Sequence, residues 1–144
     1  MTAAVHCQFS KRERLVSRQL IETLFNGGGS RSMSAYPLRA VFLVREQAPG
    51  AAVADSRLPG GKGTYPAQLL LSVPKRRFRH AVDRNRVKRQ LRECFRRHKQ
   101  VLYDAVPPDR QVLLALVWLA DSHRRTEQIE DAVKRLLQRI SEKL

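Results

Sequence analysis

Apolar residues first recur at helical spacing between Lys11 and Phe25, where Leu15, Leu20, Ile21, Leu24 and Phe25 fall near one face. Ser10 offers a hydroxyl to cap such a helix, and Asn26-Gly27-Gly28-Gly29 stops it. Ser30 to Ser34 then read as a polar loop. Leu38 to Val44 predict a strand, and Gln68 to Val73 another, closed by Pro74. Between them, residues 47–66 are punctuated by Pro49-Gly50 and Pro59-Gly60-Gly61-Lys62-Gly63. That stretch is long for a hairpin connection, so it reads either as a flexible loop insertion or as the site of one more short strand near Ala51 to Val53.

Asp83 to Tyr103 predict a helix, since Val87, Leu91, Cys94, Phe95, His98 and Leu102 recur along one stripe, with His98 read as a packed core residue. Pro107-Pro108 interrupts the chain. Gln111 to Val117 is almost wholly apolar, which suits a strand buried on both faces. Thr126 to Lys143 predict a last helix with Thr126 as its cap and a stripe of Ile129, Val133, Leu136, Leu137 and Ile140. The pattern gives the α/β class, an α+β two-layer sandwich. A small mixed sheet of about four strands is covered by three helices in the order α-β-β-β-α-β-α. A length of 144 residues fits a single domain, 1–144.

Charge narrows the function. Lys and Arg number 28 against 13 Asp and Glu, for a formal net charge of +15. Such a field draws polyanions. Guanidinium groups dominate it, and their forks match phosphate oxygens and stack on bases, which favours nucleic acid over a membrane surface. No apolar run reaches the length of a membrane span, and Met1 to Cys7 lack the order of basic and apolar regions of a signal peptide. A cytoplasmic protein is therefore expected. Cys7 and Cys94 fit that compartment, with packing the default role of Cys94.

The excess charge is concentrated. Residues 75–99 hold twelve Lys or Arg against only Asp83 and Glu93. On a helix, Lys88, Arg92, Arg96 and Lys99 line up beside Asn85 and Arg89, adjoining the Val87–Leu91–Phe95 stripe. One face can dock on the sheet while the next presents a row of cations to phosphates. A solvated face usually mixes signs, whereas Lys88, Arg92 and Arg96 repel one another at i, i+4 spacing, a cost that a bound polyanion relieves. Asn85, an amide among cations, suits either a hydrogen bond to RNA or a helix cap.

From Ser72 the chain reads Ser-Val-Pro-Lys-Arg-Arg-Phe-Arg-His-Ala-Val-Asp-Arg-Asn-Arg-Val-Lys-Arg-Gln-Leu-Arg-Glu-Cys-Phe-Arg. This resembles the signature of the protein subunit of bacterial ribonuclease P at Ser72, Val73, Lys75, Arg76, Ala81, Val82, Arg84, Asn85, Arg86, Lys88, Arg89, Arg92 and Glu93. Phe9 to Leu15, Leu24 to Gly28 and Pro37 to Arg39 are similar to other parts of the family pattern, which departs at Pro74 and at the longer 47–66 loop. The resemblance implies a fold like the second domain of ribosomal protein S5, with a left-handed β-α-β crossover. It implies that the Arg84-Asn85-Arg86 helix faces the catalytic RNA through Lys75, Arg76, Arg84, Asn85, Arg86, Lys88, Arg89, Arg92 and Arg96. It also implies a cleft between the first helix and the sheet that takes the single-stranded 5′ leader of precursor tRNA.

Stacking platforms beside cations hold single strands, so Phe9, Phe25, Tyr36 and Phe42 are candidate leader-binding rings, with Arg12, Arg14, Lys75 and Arg76 the candidate cations of the groove; the resemblance adds Ile21, at a position often aromatic in the family, where it stacks less well. Phe25 and Phe42 read equally well as core. His6, His80, His98 and His123 lack metal-ligand spacing, and no carboxylate pair marks a two-metal nuclease. The expectation is then an endoribonuclease subunit with no catalytic or metal-binding residue of its own and no cofactor bound by the protein alone. By the resemblance, Mg²⁺ is held by the RNA and its substrate. A general RNA-binding protein or a DNA-binding protein with this helix in a major groove are the alternatives.

Overall fold

The computed structural model describes Phe9, residues 11–46 and residues 66–144. Three helices, α1 (Arg18–Asn26), α2 (Ala81–Ala105) and α3 (Thr126–Glu142), accompany four strands, β1 (Arg31–Ala35), β2 (Leu38–Glu46), β3 (Ala67–Ser72) and β4 (Arg110–Trp118). The sheet order is β1-β2-β4-β3. β1 with β2 and β2 with β4 are antiparallel, while β3 and β4 are parallel neighbours joined through α2. The mixed four-stranded sheet and the order α-β-β-β-α-β-α agree with the expected class, but the first strand of that order is β1, in a stretch whose pattern reads as a loop.

Side chains alternate across a strand, so β2, β3 and β4 each feed two cores. Phe42, Leu69, Leu114, Leu116 and Trp118 meet Leu91, Phe95, Leu136 and Ile140 of α2 and α3 on one face. Val41, Leu43, Leu113 and Ala115 meet Leu20, Ile21 and Leu24 of α1 on the other. β4 is central and apolar on both sides because both faces are covered.

Three local readings are corrected. The first helix does not start at Lys11. Lys11–Glu13 form a 3-10 turn, Arg14 bridges to Leu69, and the Leu15 amide donates to the Leu69 carbonyl at 2.9 Å. This segment runs along the edge of β3, where the sheet takes over its hydrogen bonds. The helix restarts behind Ser17, whose hydroxyl accepts from the Leu20 amide at 3.4 Å. Ser30 to Ser34 are not a loop, since β1 occupies 31–35. An edge strand has one neighbour and a wet flank, so serines serve it as well as valines. Thr126 does not cap α3: Arg125 holds that position without a side-chain bond, and the Thr126 hydroxyl accepts from Gln90 Nε2 at 3.2 Å, tying α3 to α2. The short strand considered near Ala51 to Val53 and most of the 47–66 insertion lie outside the described residues.

Candidate nucleic-acid interface

The basic helix is aimed by the loop that leads into it. Phe78 is buried, its ring stacked on His123 at 4.6 Å and tilted against Trp118 at 6.4 Å. Arg84 Nη1 donates to the carbonyls of Phe78 and Arg79 at 2.9 and 3.0 Å. Of the Arg84-Asn85-Arg86 triplet, Arg84 is thus turned onto the protein's own backbone and positions the other two. Asn85 and Arg86 are exposed. Asn85 does not cap the helix, whose N-cap is His80.

Asn85, Lys88, Arg89 and Arg92 line one open groove. Lys88 and Arg92 also line a second, completed by Arg14, Val16 and the Leu69–Leu71 backbone edge. Among the described residues, none of Lys88, Arg89 and Arg92 has a carboxylate partner. Burial, then the neighbouring charges of Arg14 and Arg89, pull the Arg92 pKa below its ordinary value. Crowded cations without counterions are an anion site in electrostatic terms. Lys75 and Arg76 are exposed on the turn that follows β3.

Two members of the expected cation row have carboxylate partners within the protein. Arg96 is bound to Glu93 through Nε and Nη2 at 3.0 and 2.5 Å. Lys99 is 3% exposed and pairs with Glu13, itself 1% exposed, at 2.7 Å, and the Tyr103 hydroxyl donates to the same carboxylate. Lys99 is therefore part of the core, contrary to its place in the expected row. His98 moves the other way: it is half-buried rather than core, with Nε2 at 2.9 Å from Glu130.

The aromatic candidates separate. Phe25, 44% exposed, sits in the last turn of α1, and Ile21 is half-buried beneath that helix. Phe42 is 2% exposed in the core under α2 and α3, on the face away from α1, so it cannot share a groove with Phe25. Tyr36, in the β1–β2 turn, is held by Arg124 rather than by α1. Phe9 packs edge-on against Phe95 at 6.0 Å. Arg14 is exposed, whereas the side chain of Arg12 lies outside what is described. Sequence reasoning passed over Arg39. It pairs with Val117, which pairs with Ser72, so the three form a strip across the α1 face of the sheet that the α1 contacts leave open. Its signal was alternation, because Arg39 stands between the buried Leu38 and Ala40.

Cys94 is buried, and burial pushes its thiol pKa up to about 11, so packing suits it better than reactivity. Among the described residues no three His, Cys, Asp or Glu side chains gather as a metal site would need, and no helix is long and apolar enough to cross a membrane.

A family model described as Ribonuclease P matches residues 9–141. The ribonuclease P protein component of Porphyromonas gingivalis is 34% identical over 143 residues, covering 98% of this chain and 92% of the relative. That of Chlorobaculum tepidum is 34% identical over 82 residues, 52% of this chain and 53% of the relative. The RNase P protein of Thermotoga maritima superposes with a TM-score of 0.58 at 20% identity, over 88% of this chain and 96% of that one. A Staphylococcus aureus RNase P protein mutant with defective mRNA degradation activity gives 0.62 at 17% identity, over 90% and 89%. The two structures speak for the fold and the sequence matches for the family.

Proposed function

The chain belongs to the ribonuclease P protein family, and from that premise we propose that the cations of α2 hold the catalytic RNA while the α1 face of the sheet receives the 5′ leader of precursor tRNA. The chain is then a subunit of a ribonuclease holoenzyme that produces the mature 5′ end of tRNA. The observation that carries this reading is the groove of Asn85, Lys88, Arg89 and Arg92, joined by Arg14 and free of carboxylates among the described residues. Each phosphate neutralised there releases condensed counterions, so assembly weakens steeply with salt.

Catalysis belongs to the RNA in this reading. A groove lined by guanidinium, ammonium and amide groups repels a divalent cation, so Mg²⁺ does not fit the protein's own residues and is held by RNA oxygens. The protein screens phosphate–phosphate repulsion, which lowers the Mg²⁺ the RNA needs. Leader contact adds length to the substrate interaction. Phe25 offers an exposed ring, and Arg14 and Arg39 supply cations on either side of the β3–β4–β2 strip. A cytoplasmic setting follows from the partners.

The test is affinity for precursor and mature tRNA, with the catalytic RNA in excess. Wild type favours the precursor. Phe25→Ala loses about fivefold or more of that preference, at the low end for removal of one stacking ring. A preference left intact, with only a lowered melting temperature, would show that Phe25 serves the stability of α1 and would remove it from the leader site.

A further inference from the structure

Four buried side-chain nitrogens without a protein hydrogen-bond partner sit at one corner of the molecule: Arg77 Nε, Trp118 Nε1, His123 Nδ1 and Arg124 Nε. Trp118 ends β4, His123 and Arg124 follow it in the loop to α3, and Arg77 adjoins Phe78, which packs on both Trp118 and His123. Arg77 Nε, Trp118 Nε1 and Arg124 Nε are donors, and buried donors are nearly always satisfied, so these three call for acceptors. Two carboxylates answer in part, Asp121 to Arg77 Nη1 at 3.0 Å and Asp83 to His123 Nε2 at 3.0 Å. Neither reaches Arg124.

Arg124 does something else. Its guanidinium carbon lies 5.2 Å from the centroid of the Tyr36 ring, and Nη2 donates to the Tyr36 hydroxyl at 3.0 Å. Tyr36 is 57% exposed on a surface turn, so the ring is not there to fill a core. An open tyrosine held against a guanidinium plane is a stacking surface, and nucleobases stack on both groups. The fork of the same guanidinium matches a phosphate.

Position sets this corner apart from both parts of the proposed interface. Tyr36 lies at the end of β1, one edge of the sheet, whereas the groove of Arg14, Lys88 and Arg92 runs along β3, the other edge. Arg124 leads into α3, on the face opposite α1. Between corner and groove stand the start of α2 and its approach loop, with Lys75, Arg76, Arg79 and Arg86 exposed.

We propose that Tyr36 and Arg124 form a stacking step for an unpaired nucleotide of the catalytic RNA, whose phosphate is drawn to the Arg124 guanidinium. The proposal rests on the assignment of α2 to that RNA, because the corner continues the α2 cations and turns away from α1. The RNA then grips the start of α2 from two sides.

Equilibrium binding of catalytic RNA alone at moderate salt tests this, with melting temperatures measured in parallel. Tyr36→Leu and Arg124→Ala each weaken binding about five- to tenfold, as expected for one lost stacked base, while Tyr36→Phe stays within about twofold. Ultraviolet cross-linking of the wild-type complex places a nucleotide adduct on the peptide that contains Tyr36. Should Tyr36→Leu bind within about twofold of wild type while Arg89→Glu fails, the corner is not an RNA site and the α2 assignment survives. Should both variants bind normally, the α2 assignment falls with it. A defect seen only with leader-bearing precursor would overturn the choice of catalytic RNA as occupant.

Discussion

Lys88 and Lys99 lie three turns apart on one face of α2, yet they end in opposite surroundings. Lys99 is sealed against Glu13 and Tyr103. Lys88 opens onto a groove with Arg14 and Arg92. The amino-terminal segment makes the difference, because it passes α2 with Glu13 at one point and Arg14 at the next. One residue pairs with a lysine inside the core and its neighbour adds to the field around another. Helix α3 completes the comparison. It packs on the same face of the sheet with three Lys or Arg against four Asp or Glu, where α2 carries eight against three. A helix can hold this place without surplus cations, so the surplus on α2 serves something other than the fold.

The sharpest way to break that contrast is at Lys99. Lys99→Met removes one half of the buried Lys99–Glu13 pair, and the expected loss of stability is about 3–5 kcal/mol by chemical denaturation. Its affinity for the catalytic RNA, measured where the variant remains folded, should keep the wild-type salt slope. Arg89→Glu should do the reverse: an unchanged melting temperature with assembly weakened by about tenfold or more and a shallower dependence on salt. The matched change on α3, Arg135→Glu, should stay within about twofold, and an equal loss there would mean that net charge rather than the groove governs binding. Arg96→Ala tests the boundary of the groove. Glu93 already holds that guanidinium, so assembly should fall by no more than about threefold, far less than for Arg89.

The smallest effect concerns acid. The bond from Arg96 holds the Glu93 carboxyl below its ordinary pKa of 4.5, and the bond from His98 does the same for Glu130. A lowered folded-state pKa contributes stability that is present above the ordinary value and is lost as pH falls through the folded one. Melting temperatures of wild type and Glu130→Gln should therefore differ at neutral pH and converge well below 4.5. A gap that persists in acid would show that the glutamate acts through packing.

Much of the fold was legible in the residues alone. β4 announced itself as a run apolar on both faces, and the α2 and α3 stripes reappear as Val87, Leu91 and Phe95, and as Ile129, Val133 and Leu136, in the core. What failed depended on long-range partners. Nothing local in Arg31-Ser32-Met33-Ser34-Ala35 demands a strand; its ladder with Leu38–Phe42 does. Lys99 carries no mark of burial until Glu13, far away in the chain, arrives beside it. Phe42 and Phe25 look alike in sequence, and only the sheet shows that they belong to opposite faces. Arg124 drew no notice because its meaning lies in Tyr36, which the β1–β2 turn brings to it.

The most direct measurement is cleavage of precursor tRNA by a bacterial ribonuclease P RNA at Mg²⁺ too low for the RNA alone, with and without this protein. Cleavage restored at the mature 5′ end by wild type, and not by Arg89→Glu, is the expected result. Restoration by both proteins alike, or binding without any restoration even with the cognate RNA, would contradict the α2 groove as the seat of the catalytic RNA.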